Sequence, residues 1–400
     1  MANILFLHPN FPGQFKHISH FFASKSNDVI FLCQTHYGRT VKGVKRLCLK
    51  GKSGGDFLKN LNLNAPQRAL RLAEQYKSAF EELKRQSWAP DIIISHSGWG
   101  CGSYAKLFWP HSLTISYLEW WFNPISSVYT YDPKNTELSL TPESVQKHWL
   151  RNSLISLELI SADKIVSPTI WQKSQLPEIL QTKCQVIFDG IDTNKYNMKI
   201  SQNQPSHPLK KFLTYGTRGM EPMRGFSQFI RCIPKLKDLQ IEIQIAGEDE
   251  MNYGGVKPKE GSWKQWAISY LKSRRLDHKV KWIGRLSEKS YINWLQNSSC
   301  HVYLTHPYVA SWSFVEALHC CRNIVASNVP PVREFCNQQV DGLILTDHRD
   351  VNLLAEAIKM ALNSNKKTTE ITRMGLKRLS SINCLNAWSS VAGLDLATSD

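Results

Sequence analysis

The chain is 400 residues long and 42% hydrophobic, enough for two ordinary α/β domains each with its own core, and it shows no internal repeat or low-complexity tract. No stretch is apolar for the ~18 residues a membrane-crossing helix needs, and the opening MANILFLHPNF has no basic flank, so neither a leader peptide nor a membrane span is read and a soluble protein is expected. A formal charge of +16 fits an anionic substrate, an anionic membrane surface or nucleic acid, but the basic clusters at 42–52, 272–281 and 366–378 are interrupted and lack the interleaved aromatics of an RNA-binding module, so no specific nucleic-acid partner is expected.

In chain order, residues 3–7 read as a first strand and 8–14 as a tight loop before a helix over 15–24, with Gly13 placed where a backbone N–H can approach a ligand. A second strand is expected at 29–34, followed by a basic loop around residue 45. A helix is expected over 65–86, with Leu70, Ala73, Tyr76, Phe80 and Leu83 on one face. The β-branched run at 90–95 is a buried strand that ends at His96. A histidine there either bonds a loop carbonyl or contacts a ligand. Another strand at 113–118 leads to Glu119 and the aromatics Trp120, Trp121 and Phe122, which serve as an acceptor wall or as packing. Residues 142–161 look helical, and after the segment 163–168 a strand is expected at 184–188.

The polar, proline-containing stretch 197–211 reads as an interdomain linker. A strand at 212–215 then opens onto a loop in which Arg218 and Arg224 flank glycines before a helix from about Phe226; two guanidinium groups and a helix start can converge there on one anion. Strands follow at 240–246 and 279–283, the latter running into Gly284 and Arg285, and a helix at 291–297. The apolar run 302–304 is a strand whose polar exit loop carries Tyr308. Ser311 and Ser313 can cap the next helix, with Trp312 between them and Glu316 near its first turn. A strand at 323–327, a Pro330-Pro331 stop and an amphipathic helix over 351–363 complete the pattern, and 368–396 looks helical with an interruption. The ten cysteines form no CxxC pair and the thirteen histidines no HExxH, so reduced thiols in a cytoplasm and no metal site are expected; Cys320 and Cys321 read as core.

Glu316 with its following small residues and the turn from Ser327 to Glu334 resemble the donor-binding signature of retaining glycosyltransferases of family 4, and the chain is similar to that family over roughly residues 3–380. The resemblance implies the GT-B fold, two Rossmann-like α/β domains with parallel sheets facing across a cleft. It implies an acceptor-side domain at 1–196, the linker at 197–211, a nucleotide-sugar domain at 212–380 and a tail at 381–400 returning to the first domain. Tyr308 stands where the family's first glutamate is usual and Ser311 where a glycine is usual, a form similar to a branch lacking that glutamate. By the same resemblance Arg218 and Arg224 hold the donor diphosphate, Gly284 and Arg285 lie by the base, and Glu316 accepts from the ribose. Tyr308, Ser311, Trp312 and Ser313 line the donor site, Gly13 lies near phosphate or acceptor, and His96 contacts the donor sugar.

What is implied is a retaining, metal-independent transfer from a nucleoside-diphosphate sugar, of UDP or GDP type, to a hydroxyl acceptor, with no further cofactor. The expected setting is the cytoplasm, with peripheral contact to an anionic membrane as an option left by the charge. The alternatives are a phosphorylase or epimerase on the same fold, or a non-catalytic basic protein that binds anionic lipid or nucleic acid.

Overall fold

The computed structural model describes residues 1–50, 61–138, 140–198, 211–336, 342–364 and 376–394. Their contacts divide into two units. One holds Met1–Pro124, Val145–Gly190 and the helix Ser381–Ala392, and the other holds Ile125–Ser144 and Ile191–Ser380. The linker expected at 197–211 lies, apart from its ends, outside the described residues, as do most of the basic cluster at 366–378 and both ends of the stretch 368–396.

The first unit is built on a parallel sheet of seven strands, β1 (Asn3–Leu7), β2 (Asp28–Cys33), β3 (Val44–Cys48), β4 (Ile92–His96), β5 (Leu113–Tyr117), β6 (Lys164–Ser167) and β7 (Cys184–Val186), in the order β3-β2-β1-β4-β5-β6-β7. Leu5 pairs with Ile30 on one side and Ile93 on the other, so the central strands are apolar throughout, as strands covered on both faces must be. β3 was expected to be a loop. Its Lys45 and Arg46 are those of an edge strand, where charge guards an open hydrogen-bonding side.

The long helix Ala65–Arg85 begins with a reciprocal cap, Asn64 Oδ1 accepting from the Gln67 N–H at 2.9 Å and Gln67 Oε1 from the Asn64 N–H at 3.0 Å. Leu72, Tyr76, Phe80 and Leu83 bury against β1, β2 and β4. Leu70, expected on that face, is exposed; the stripe runs through Ala69, Leu72 and Ala73 instead, and Leu70 falls outside its arc. The helix expected over 142–161 is two helices, Pro142–Leu150 and Asn152–Ser161.

The second unit carries a parallel sheet of six strands, β8 (Lys211–Gly219), β9 (Ile241–Glu248), β10 (Val280–Gly284), β11 (Cys300–Tyr303), β12 (Ile324–Ser327) and β13 (Leu343–Thr346), ordered β10-β9-β8-β11-β12-β13. Its core joins Leu213, Tyr215, Ile243, Ile245 and Val302 to Phe226, Phe229 and Ile230 of the helix Phe226–Cys232 and to Leu354, Ile358 and Ala361 of the helix Val351–Asn363. Asp350 starts the latter, its Oδ1 accepting from the N–H groups of Asn352 and Leu353. Cys320 and Cys321 are buried beside this core.

Ile125–Ser144 belongs with this unit although the chain enters and leaves it from the other. Tyr131 is its anchor: its ring meets His306 edge-on at 5.3 Å and stacks on His348, its hydroxyl donates to Asp347 at 3.2 Å, and the Arg349 guanidinium lies 4.2 Å from the ring centre. Glu137 adds an ion pair with Arg231 and accepts from the Ser227 hydroxyl. His306 Nε2 lies 2.7 Å from the Val128 carbonyl, and burial pushes its pKa down to about 4.

Candidate active site

In an open parallel sheet, ligands bind beyond the carboxyl ends of the strands where the strand order reverses. In the first unit that point lies between β1 and β4. His8 follows β1 and His96 ends β4, and their rings meet edge to face at 4.9 Å. His8 is buried, its Nδ1 accepts from the Asn10 N–H at 2.8 Å, and burial, then His96, hold its pKa well below the usual histidine value. Gly13 rests on that imidazole. Its φ of +52° favours glycine, and a Cβ would come within 2.9 Å of His8 Cε1. The residue that the resemblance puts near phosphate or acceptor therefore has a histidine as its immediate neighbour.

His96 stands at the strand end as expected. Its Nδ1 is 3.0 Å from the Ser97 carbonyl, an acceptor only, so this nitrogen carries the proton. Its Nε2 is buried and 3.4 Å from Glu119 Oε2. Both ring nitrogens thus face protein, and the group that reaches solvent is Glu119, whose side chain is 42% exposed and whose Oε2 also accepts from Gln14 Nε2 at 3.4 Å. Trp99 is 41% exposed, its ring 6.3 Å from each imidazole. Trp120, Trp121 and Phe122 are buried. Between Gln14, Tyr117 and Trp388 lies a cavity of about 10 Å³, room for roughly one water and not for a sugar.

Beneath this crevice Glu158, 2% exposed on the helix Asn152–Ser161, accepts from the N–H groups of Gly98 at 2.7 Å and Gly102 at 3.0 Å and from the Ser103 hydroxyl. Burial pushes its carboxyl up to about 7 against the pull of these bonds. Sequence reasoning missed it, because the apolar residues of this helix form no single stripe and so do not mark the face on which the acid lies. His8 did carry a signal: it follows its strand directly, at the same end of the sheet at which His96 closes β4.

In the second unit the order reverses between β8 and β11, and the loop from β8 to the helix Phe226–Cys232 fills that point. Arg218 is exposed at the end of β8. Arg224 is buried: its Nη1 donates to Thr305 Oγ1 at 2.8 Å and to the Val309 carbonyl at 3.0 Å, and its guanidinium lies 4.6 Å from the centre of the Tyr253 ring. The Tyr253 ring in turn meets Tyr308 edge-on at 5.7 Å. Gly225 follows with φ +63° where a Cβ would lie 2.6 Å from Leu304 Cβ, so only glycine turns the chain there. Glu221, fully buried, accepts from the Asn252 N–H at 2.9 Å and the Tyr253 N–H at 2.7 Å, and burial raises its pKa.

The helix Trp312–Cys320 starts after Ser311, whose backbone N–H donates to the Tyr303 hydroxyl at 2.9 Å. The Ser311 side chain does not cap the helix; its hydroxyl bonds Tyr303 and Ser313. Trp312 is half-exposed at the first turn. Glu316 accepts from the hydroxyls of Tyr291 and Tyr196, and burial, opposed by these bonds, pushes its carboxyl up to about 7. Burial likewise raises both phenols. The two tyrosines were not foreseen; Tyr291 lies on the helix Glu288–Gln296 and Tyr196 follows the turn after β7, so neither is near Glu316 in sequence. Gly284 ends β10, and Arg285 is exposed with its Nη1 3.6 Å from Glu248.

Residues 25–196 match the model of the glycosyl transferase family 4 group, and residues 198–378 match that of glycosyl transferases group 1. No curated protein sequence matches the chain. Among solved structures, a glycosyltransferase from Rickettsia africae superposes with a TM-score of 0.69 at 16% identity, over 100% of this chain and 99% of that one. HepE from Anabaena, solved with UDP-glucose, gives 0.67 at 13% identity over 98% of this chain and all of its own. Sucrose-phosphate synthase from Thermosynechococcus elongatus gives 0.68 at 12% identity over 98% and 96%. At such identities the likeness establishes the fold, and the pair of parallel Rossmann-like sheets is that of the GT-B glycosyltransferases.

Proposed function

The chain belongs to the glycosyltransferases that its two matched parts define, and from that membership we propose that it is a retaining enzyme. It moves a sugar from a nucleoside-diphosphate sugar, of UDP or GDP type, to a hydroxyl acceptor in saccharide, glycolipid or natural-product biosynthesis. The observation that carries this reading is the loop leaving β8 at the second sheet's reversal, with Arg218 exposed and Arg224 locked behind it. HepE, of the same fold, is seen with UDP and with UDP-glucose, which supports a nucleotide sugar as donor.

The chemistry follows from charge. As the bond between the anomeric carbon and the diphosphate oxygen breaks, negative charge grows on the leaving phosphate. A guanidinium aimed there is worth about 3 kcal/mol of transition-state stabilisation. Arg218 supplies that charge, and Arg224 fixes the loop that presents it, so we assign the role to arginine and not to a metal ion. Glu316, with two tyrosines holding its carboxylate, keeps acceptor positions for the ribose hydroxyls. The acceptor oxygen attacks from the face the phosphate leaves, forming the new C–O bond while its proton passes to the departing phosphate oxygen. That step needs no carboxylate nucleophile and no cofactor beyond the donor itself.

The test is a thermal-shift screen against UDP, GDP, ADP, TDP and their sugar conjugates. At a hundredfold excess over its dissociation constant a ligand adds about 2.7 kcal/mol. A shift confined to one nucleotide names the base, and the sugar conjugates then narrow the donor; no shift with any nucleotide removes the reading.

A further inference from the structure

The two matched parts of the chain meet near residue 197, so sequence alone assigns Ile125–Ser144 to the first half, yet its contacts place it in the second unit. Those contacts form two groups. In the first, the buried His306 lies between the segment and the loop leaving β8. Its Nε2–H donates to the Val128 carbonyl at 2.7 Å, and its backbone N–H donates to the Met223 carbonyl at 2.8 Å. The Tyr131 ring closes over this imidazole and is itself tied to Asp347 and Arg349. His306 also reaches the arginine loop through its neighbour: its carbonyl accepts from the Thr305 hydroxyl, whose oxygen accepts from Arg224. In the second group, Glu137 accepts from the Ser227 hydroxyl and pairs with Arg231, both on the helix that follows Arg224. Its backbone carbonyl accepts from the Val256 N–H at 2.8 Å, and a Cβ on Gly255 would come within 2.8 Å of that oxygen. The turn that brings Tyr253 to the Arg224 guanidinium is thus fixed twice, by Glu221 at residues 252 and 253 and by Glu137 at 256.

The residues that receive the segment follow four strands of the second sheet: Ser227 after β8, Val256 after β9, His306 after β11 and Asp347 after β13. All lie beyond the carboxyl ends, the edge at which a parallel sheet binds its ligands. A loop that binds there must already hold its binding shape, or the cost of ordering it is subtracted from the affinity. We propose that Ile125–Ser144 works as part of the nucleotide-sugar site, with Tyr131 and Glu137 as positioning residues that hold the loop from Arg218 to Arg224 and the turn carrying Tyr253 in shape for the donor diphosphate. Tyr131 acts through His306, and Glu137 acts through Ser227 and Val256. His306 suits a permanent link, because burial keeps its ring neutral and Nε2 as a donor across the neutral range. This inference rests on the reading of the second unit as the donor unit.

The full-length protein and its Tyr131→Ala, Tyr131→Phe and Glu137→Ala variants are titrated with UDP and GDP by calorimetry, well below the melting temperature of each. The two alanine variants should bind the wild type's nucleotide about tenfold more weakly. Tyr131→Phe keeps the ring on His306 and loses only the bond to Asp347, so it should restore the wild-type affinity. A segment that only stabilises the unit would lower the melting temperature and leave the affinity of the folded protein unchanged. Full affinity in both alanine variants therefore overturns this proposal alone, and so does a loss in Tyr131→Phe as large as in Tyr131→Ala, which would trace the effect to Asp347 and not to His306. If an alanine variant is unfolded at the assay temperature, Glu137→Gln replaces it, keeping an acceptor for Ser227 and losing the ion pair with Arg231. It should still bind more weakly than the wild type, and equal binding overturns the proposal. No binding of either nucleotide by the wild type removes the donor reading and this proposal together.

Discussion

The two sheets solve the same structural problem with the same device and then diverge. Each has a buried carboxylate under its reversal point that accepts backbone N–H groups and so folds the strand-end loops, Glu158 under residues 97–103 and Glu221 under residues 249–253. What those loops surround differs. The first sheet gathers imidazoles, an indole and a carboxylate, and the second gathers arginines and phenols. A shared scaffold therefore decides where a ligand sits, while the side chains placed there decide its charge.

The sharpest way to break that comparison is Arg224→Ala. It deletes three charge-assisted bonds, to the Tyr303 and Thr305 hydroxyls and the Val309 carbonyl, and leaves that carbonyl buried and unmatched, at about 4 kcal/mol, and should lower the denaturant midpoint of the second unit. An unchanged midpoint would remove Arg224 as the loop's fixing point. Next is the pH dependence of Glu158. Its folded carboxyl is raised to about 7, so between pH 4.5 and 7 the native state holds a proton that the unfolded chain has released. Stability should fall by about 3 kcal/mol as pH rises through that window and stay level above it. Urea midpoints for Glu158→Gln should lose that slope; an identical profile would show that Glu158 does not titrate as described.

Arg218→Ala should weaken UDP or GDP binding roughly a hundredfold, about 2.7 kcal/mol, without lowering the melting temperature, because the side chain is exposed. Calorimetry reads both, and full affinity would place the diphosphate elsewhere. The smallest effect is Gly13→Ala, about 2 kcal/mol from the left-handed backbone and the push on His8. It should appear in the first unit's unfolding and leave nucleotide binding as it was.

Much of this was legible from local pattern. Apolar runs bounded by polar loops located most of the strands, and the periodicity from Val351 to Asn363 coincides with its helix. Arg218 and Arg224 announced themselves by flanking glycines at a strand exit. What escaped depends on partners distant in sequence. Glu158 is buried only because a loop about sixty residues earlier closes on it. Tyr131 looked like part of the first half until Asp347 and Arg349, more than two hundred residues on, received it. β3 was hidden by its own charges, which belong to an edge and resemble a loop when read without a neighbour.

The helix Ser381–Ala392 has one more consequence. Its Trp388 ring stacks on Tyr117 at 6.5 Å, and its Val391 carbonyl accepts from Lys164 Nζ at 2.6 Å, so the first sheet is covered by a helix that is synthesised only after the second unit. With domains otherwise folding from the N-terminus as they emerge, this one must wait with an apolar seam uncovered while some two hundred residues of the other unit are synthesised. Cutting the gene between the two sheets would extend that wait indefinitely, and an N-terminal fragment ending at residue 196 should come out aggregated where the whole chain does not.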